Sequence, residues 1–335
     1  MRTLCILAAL ALVSCGDGGS GDGPPERLSA WGLFADGLSQ TPAEGVLPYS
    51  VVSPLFSDYA AKHRFIRVPE GTTATFTTEG PWAFPEGTVL VKTFAFPTDR
   101  RDPSAGERII ETRLLVLEEG AWIPYVYLWD GDDAFLSQVG ARVDVDWIHD
   151  DGEARTLTYR VPNAAQCANC HGGLDDPLPL GPRTLQMDHS GQLERLEAAG
   201  LFGEPLPTER DALVDPEGSE GTLDERARAY LHANCGHCHR DQGSAGQSGL
   251  WLTADVTESL QLGVCKRPVA AGRAAGGRTF DIVPGAPDDS VMVYRMESDE
   301  AGIKMPELPS QLVHPEGVGL IRDWIAAMDP VTCGE

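Results

Sequence analysis

Short apolar runs separated by Gly, Pro and Asp dominate the chain from about Trp31 to Arg160. His63–Val68, Thr88–Phe96, Arg108–Leu117, Trp122–Trp129, Arg142–Trp147 and Arg155–Arg160 are each rich in β-branched and aromatic residues. Runs of this length, bounded by turn formers, read as strands. Several of them in succession predict an antiparallel sandwich or barrel. Gly106, Gly120 and Gly131 fall where turns are needed. Tyr125, Tyr127 and Trp129 alternate onto one face, as core or as a platform for a ligand; core is the commoner use of such a stripe.

The pattern changes after Val161-Pro162-Asn163. Residues 161–216 are mostly loop, with Gly172-Gly173 and Pro177-Leu-Pro-Leu-Gly-Pro182. The one helix candidate there is Gln192–Ala199. From 217 to 335 helix signals take over. Thr222-Leu-Asp-Glu225 is a capping box for a helix running to about Ala233. Pro315-Glu316 opens another, with Val318, Ile321, Trp324, Ile325 and Met328 on one face. Val291–Met296 reads as an ordered, buried segment. The pattern therefore predicts a multidomain chain, with a β-rich domain over 27–160 followed by a mainly α-helical region.

The first residues have a different character. Met1-Arg2 precede an apolar run from Leu4 to Val13 that closes on Ser14-Cys15. A positive start and a short apolar core read as a secretory signal over 1–14, too short to span a bilayer. Leu12-Val13-Ser14-Cys15 resembles the bacterial lipobox, which implies cleavage before Cys15 and acylation of its thiol. Residues 15–26 (through GDGGSGDGPP) then form a flexible tether. An acylated Cys15 makes the membrane one partner, and the expected location is exported: periplasm-facing, or an outer-membrane lipoprotein of a Gram-negative bacterium.

Of the 335 residues, 50 are acidic and 26 are Lys or Arg, a formal charge of −24. Such a surface repels nucleic acid and favours solubility or basic protein partners. The acidic cluster from Asp130 to Asp151 carries no D-x-[DN]-x-[DN]-G calcium loop and reads as solvated.

Two strings carry the chemistry: Cys167-Ala-Asn-Cys170-His171 and Cys235-Gly-His-Cys238-His239. Each is C-x-x-C-H, the signature of covalent c-type haem attachment. The cysteines bond to the porphyrin and the histidine ligates its iron. In an exported chain this outweighs a zinc site, for which neither string has an obvious fourth ligand. Eight cysteines are present. Cys5 leaves with the signal, Cys15 anchors and four attach haem. Cys265 and Cys333 remain, and in an oxidising compartment they pair most simply as a disulfide, the alternative being a reactive or ligating thiol.

A low-spin haem needs a ligand on each face of its iron, and methionine is a common second one. For the haem on His239, Met305 precedes the closing helix and is the expected ligand. Met292 and Met296 compete but read as core. For the haem on His171, Met187 is the nearest candidate and His189 the next; an open or distant position is the third option. An open iron binds or reduces small molecules, whereas a closed one passes electrons. His63, His149, His232, His237 and His314 are lone histidines, usually structural. Arg273, Arg278 and Arg295 are candidate partners for the haem carboxylates.

Further short sequences complete the picture: Ser53-Pro-Leu-Phe-Ser-Asp-Tyr59, Phe84-Pro-Glu-Gly-Thr88, Glu111-Thr-Arg113, Val161-Pro-Asn163, Pro284-Gly285 and the stretch from Lys304-Met-Pro306 to Trp324. With the two strings, they make the chain resemble a family of exported bacterial di-haem c-type cytochromes from about Leu28 to Met328. The resemblance implies a β-domain, a first haem-binding segment and linker over 161–216, and a class I-like cytochrome c domain over 217–335. It predicts Leu-Asn near Gln186, where Met187-Asp188 stands instead. The function expected is electron transfer between redox partner proteins, by a carrier rather than a stand-alone enzyme. A di-haem peroxidase-like enzyme with an open first haem, or a polymer-binding β-module carrying electron-transfer haems, are the alternatives.

Overall fold

The computed structural model describes residues 23–78, 80–172 and 178–334. The expected signal and the Cys15 anchor lie outside them. Ten strands run in order: β1 (Phe34–Asp36), β2 (Thr41–Pro42), β3 (Val46–Tyr49), β4 (Ala61–Arg67), β5 (Val89–Pro97), β6 (Glu107–Glu118), β7 (Ala121–Asp130), β8 (Asp133–Leu136), β9 (Ala141–Ile148) and β10 (Ala154–Val161). Six of them, β3 to β8, form one antiparallel meander in sequence order. The β6–β7 turn places Glu119 and Gly120 at φ of 52° and 78°, the paired left-handed geometry that suits the twist of a hairpin. The sheet is open, and the β9–β10 hairpin covers part of one face instead of closing a barrel.

Each face of the sheet is covered differently. On one, Leu28, Leu33 and Phe34 pack against Phe65, Val91, Leu114 and Tyr127. Trp31 donates to the Tyr127 hydroxyl at 2.7 Å and Trp129 to Thr112 at 2.9 Å, so the aromatic stripe is core. On the other face, one end (Ile66, Leu90, Leu115) meets Trp82, Met187, Leu193 and Leu201. The opposite end (Phe94, Phe96, Ile110) meets Val145, Trp147 and Tyr159 of the hairpin. Between these apolar ends runs a band of charge. Arg64 pairs with Lys92, and Lys92 with Arg113, on neighbouring strands. Cross-strand partners share a face, so the three cations stand side by side.

Six helices follow: α1 (Ala164–His171), α2 (Thr184–Met187), α3 (Gln192–Ala198), α4 (Leu223–Asn234), α5 (Val291–Glu297) and α6 (Pro315–Ala326). The expectation of a mainly α-helical, cytochrome c-like region is corrected here. Over the described residues strand makes up 26% and helix 21%. After residue 217 only α4, α5 and α6, of 12, 7 and 12 residues, stand among long loops. The Gly- and Pro-punctuated stretch from Arg240 to Ser290 has no helical apolar period, so its backbone closes in turns. The helices pack through Tyr230, Leu231, Val293, Ile321, Trp324 and Ile325. Gly317 of α6 lets it approach α4, because a Cβ there would lie 2.2 Å from the Tyr230 ring. Trp324 donates to Asp224 at 2.7 Å across the same contact. Cys265 and Cys333 are joined by a disulfide, with Cα atoms 5.1 Å apart.

The Ser53–Tyr59 segment sews the sheet to this second core. The Ser53 hydroxyl donates to Ala229 O at 2.9 Å, and Phe56 N–H to Asn234 Oδ1 at 2.8 Å. Asp58 and Tyr59 both adopt left-handed φ, 54° and 66°. Such residues cost about 1–3 kcal/mol each and persist only where the surroundings hold them. What holds Asp58 is its fully buried carboxylate, which accepts from Gln311 N–H at 2.8 and 3.0 Å and from Leu312 N–H at 2.7 Å. Charge-assisted bonds of this kind are worth about 1.5–3 kcal/mol. Replacing Asp58 by Ala is expected to lower unfolding stability by about 2 kcal/mol in urea titrations. The same change at exposed Asp132 is expected to stay within about 0.5 kcal/mol. Equal losses at the two positions would show that the Asp58 clasp is not what joins the halves.

Candidate haem-binding sites

Each string sits where a helix meets a loop. The first forms most of α1, directly after β10. The Asn163 side chain accepts from Gln166 N–H at 2.9 Å, and the Gln166 side chain accepts from Asn163 N–H at 3.0 Å. This reciprocal cap starts a helix in a stretch whose sequence reads as mostly loop; Asn163 with Gln166 three residues on was the available signal. The second string follows α4, whose Thr222–Glu225 capping box is formed. Gly236 is required inside it, since a Cβ there would sit 2.8 Å from His232 O.

The two string histidines are held alike. His171 Nδ1 lies 2.8 Å from Leu178 O, and His239 Nδ1 lies 3.3 Å from Leu250 O. A carbonyl only accepts, so each Nδ1 carries the proton and each Nε2 keeps its lone pair for a metal. Burial favours the neutral ring in both, holding His171 down at about 4 and lowering His239. Burial also pushes the Cys167 thiol up, and Cys235 up to about 12. These two thiols therefore stay protonated.

The strings meet. Cys238 Sγ lies 3.8 Å from Asn169 O, and the ligand atoms of Cys170, His237 and Cys238 all fall within 4.8 Å of one another. The Cys238 thiol is lowered by hydrogen bonds from Cys170 and His237, and Cys170 is raised in turn. Among the described residues this is the one group of three or more His, Cys or acidic ligands at metal-binding spacing. Structural zinc takes four protein ligands, and this group supplies three.

A separate cavity opens beside each string. The larger, about 780 Å³, is lined by Cys167, Cys170 and His171 on one wall. The smaller, about 380 Å³, is lined by Cys235, Cys238 and His239. Both volumes lie in the range of cofactor sites. The wall between them includes Cys170, His237, Lys304 and Ser310.

Met305 lines the second cavity together with Met292 and Met296. Its backbone N–H donates to Arg295 O at 2.9 Å, and Lys304 Nζ donates to Pro306 O and Ser310 Oγ at 2.9 and 3.0 Å, which fixes its loop. Met187 is elsewhere. It is fully buried among Trp82, Leu193 and Leu201, lines neither cavity, and packs as core. His189 lies beside Ser50 and Gln192 and lines neither cavity. No methionine lines the first cavity among the described residues. Arg295 reaches the second cavity, whereas Arg273 pairs with Glu300 and Arg278 lies over the Tyr294 ring. The cations that sequence reasoning missed are Arg64, Lys92, Arg113, Arg160, Arg183 and Arg240, all lining the first cavity. They lie far apart along the chain, and strand register and loop packing assemble them.

Among protein-family models, curated proteins and solved structures, none matches this chain. Among the described residues no helix is long and apolar enough to cross a membrane.

His314 marks the seam between the halves. Its ring stacks on Phe56 at 4.0 Å and its Nδ1 lies 3.1 Å from the Tyr230 hydroxyl. Burial lowers it to about 4, against the opposing pull of Glu316. Between pH 6.5 and 4 the unfolded chain binds this proton and the folded chain does not, so stability falls as the pH is lowered. Urea titrations at pH 7 and 4.5 should show the native chain losing on the order of 2 kcal/mol more than His314→Phe, which keeps the stack. Identical losses would refute the assignment.

Proposed function

We propose that this chain is a di-haem c-type cytochrome that carries electrons between redox partner proteins. The observation that carries the reading is the pairing of each C-x-x-C-H string with its own cavity, the two cavities sharing a wall where the strings touch. Cys167 and Cys170 would hold one haem and Cys235 and Cys238 the other, with His171 and His239 as iron ligands. When bound, each haem supplies an iron that takes up and releases one electron.

The protein's own part is binding, orientation and exclusion of water. Leu178 O and Leu250 O hold the two imidazoles in the ligating tautomer. The side chains of Leu231, Leu252, Val291 and Val318 give the second cavity apolar walls. Met305 is the proposed second ligand there, because its loop is pinned at the cavity by Lys304 and Arg295. The shared wall supports transfer between the two sites, since string residues and the 304–310 loop line both of them. The membrane anchor at Cys15 remains part of the proposal, on the lipobox resemblance. An aromatic platform for a polymer is not favoured, because Tyr127 is buried and Tyr125 and Trp129 pack half-buried against the same cluster.

Exported full-length protein should contain two haems per chain in a haemochrome assay. Replacing Cys167 and Cys170 by Ala should leave one, as should replacing Cys235 and Cys238. Met305→Ala should remove a methionine–iron absorption band and keep both haems. A chain without covalent haem, or with zinc bound in its place, would refute the reading.

A further inference from the structure

The first cavity holds more positive charge than one haem explains. Arg64, Lys92 and Arg113 form a continuous row across three strands of its floor, and Arg160, Arg183 and Arg240 add to its walls. Arg113 is neutralised by the buried carboxylate of Glu111, at 2.5 Å. Arg64 has only a 3.3 Å bond to Lys62 O on its own strand. Among the described residues Lys92 has no hydrogen-bond or ion-pair partner; its ammonium lies over the Phe94 ring, 4.9 Å from its centroid. The Nε of Arg183 is also buried without a partner. The acidic side chains lining the cavity are Asp299 and Glu307 alone among the described residues.

These side chains are half-buried, except Arg160, which is exposed. A cation held away from water without a partner is costly unless an anion meets it or it gives up its proton, and burial beside Arg64 and Lys62 lowers Lys92 well below its ordinary value, a charge that a bound anion would restore. The carboxylates of one porphyrin supply two negative charges, fewer than these cations call for. Size points the same way. The first cavity has about twice the volume of the second, although each string would hold the same cofactor. No methionine lines it among the described residues, so no thioether claims the second face of the iron on His171.

We propose that the first cavity is a binding site for a small free anion, a carboxylate or oxyanion, held by the Arg64–Lys92–Arg113 row beside the haem on His171. It rests on the haem reading only in placing a porphyrin on the string-bearing wall. The row sits inside a strongly acidic protein, so an anion is repelled by the surface and held in the chamber, which favours small ligands over anionic macromolecules.

The test uses ferric full-length protein and azide, followed by calorimetry and by the visible spectrum, with haem counted in every sample. The native chain should bind one azide at the row. Lys92→Met and Arg64→Gln should each weaken it at least tenfold while keeping two haems. Lys92→Met exchanges an unpartnered, half-buried cation for an apolar chain of similar shape, which removes a desolvation cost and leaves no partner behind. Azide that never saturates, or that binds both variants as tightly as the native chain, overturns the proposal. So does loss of one haem from the variants with azide affinity unchanged, which would assign the row to the haem carboxylates. If the native chain carries no haem yet binds azide in a Lys92-dependent way, the anion site stands and the haem reading falls.

Discussion

The carboxylate of Asp58 closes the structure. It gathers the N–H groups of Gln311 and Leu312 and ties the far end of the 304–312 loop to the sheet side of the molecule. The segment leading to it is the partition between the two cavities. Ser53, Leu55 and Ser57 line the first and Phe56 lines the second, as alternation along an extended chain requires. Loosening this segment would free the wall of both sites and the loop that carries Met305.

Charge is distributed against the grain of the composition. The chain as a whole is strongly acidic, yet the first cavity is lined by arginine and lysine. An acidic exterior and a basic chamber are not in conflict, because surface charge is screened by solvent and buried charge is not. The sheet makes this possible by interrupting its own core. Apolar clusters at its two ends leave the middle rows to Arg64, Lys92, Arg113, Lys62 and Glu111.

Much of the local structure is legible in the sequence. The six strand runs fall within a residue or two of β4, β5, β6, β7, β9 and β10, because alternation and turn residues are local signals. The Thr222–Glu225 capping box, the Pro-opened helix and the disulfide candidates are legible for the same reason. The mainly helical second half is where local reading failed. Two strong helix signals at its ends were extended over a middle whose glycines and prolines favour turns. Met187 failed differently: its nearness in sequence to His171 says nothing about which face of α2 points into the core.

By itself the sequence determined the two haem-type strings, the six longer strands and the ends of α3, α4 and α6, since each depends on residues a few positions apart. Only the tertiary structure decided that the strings meet at Cys170 and Cys238, 68 residues apart in the chain. It also decided that three cations from three strands make one row, and that Met305 faces a cavity while Met187 does not. Register and packing are set by contacts summed over the whole chain, and no short window of sequence contains them.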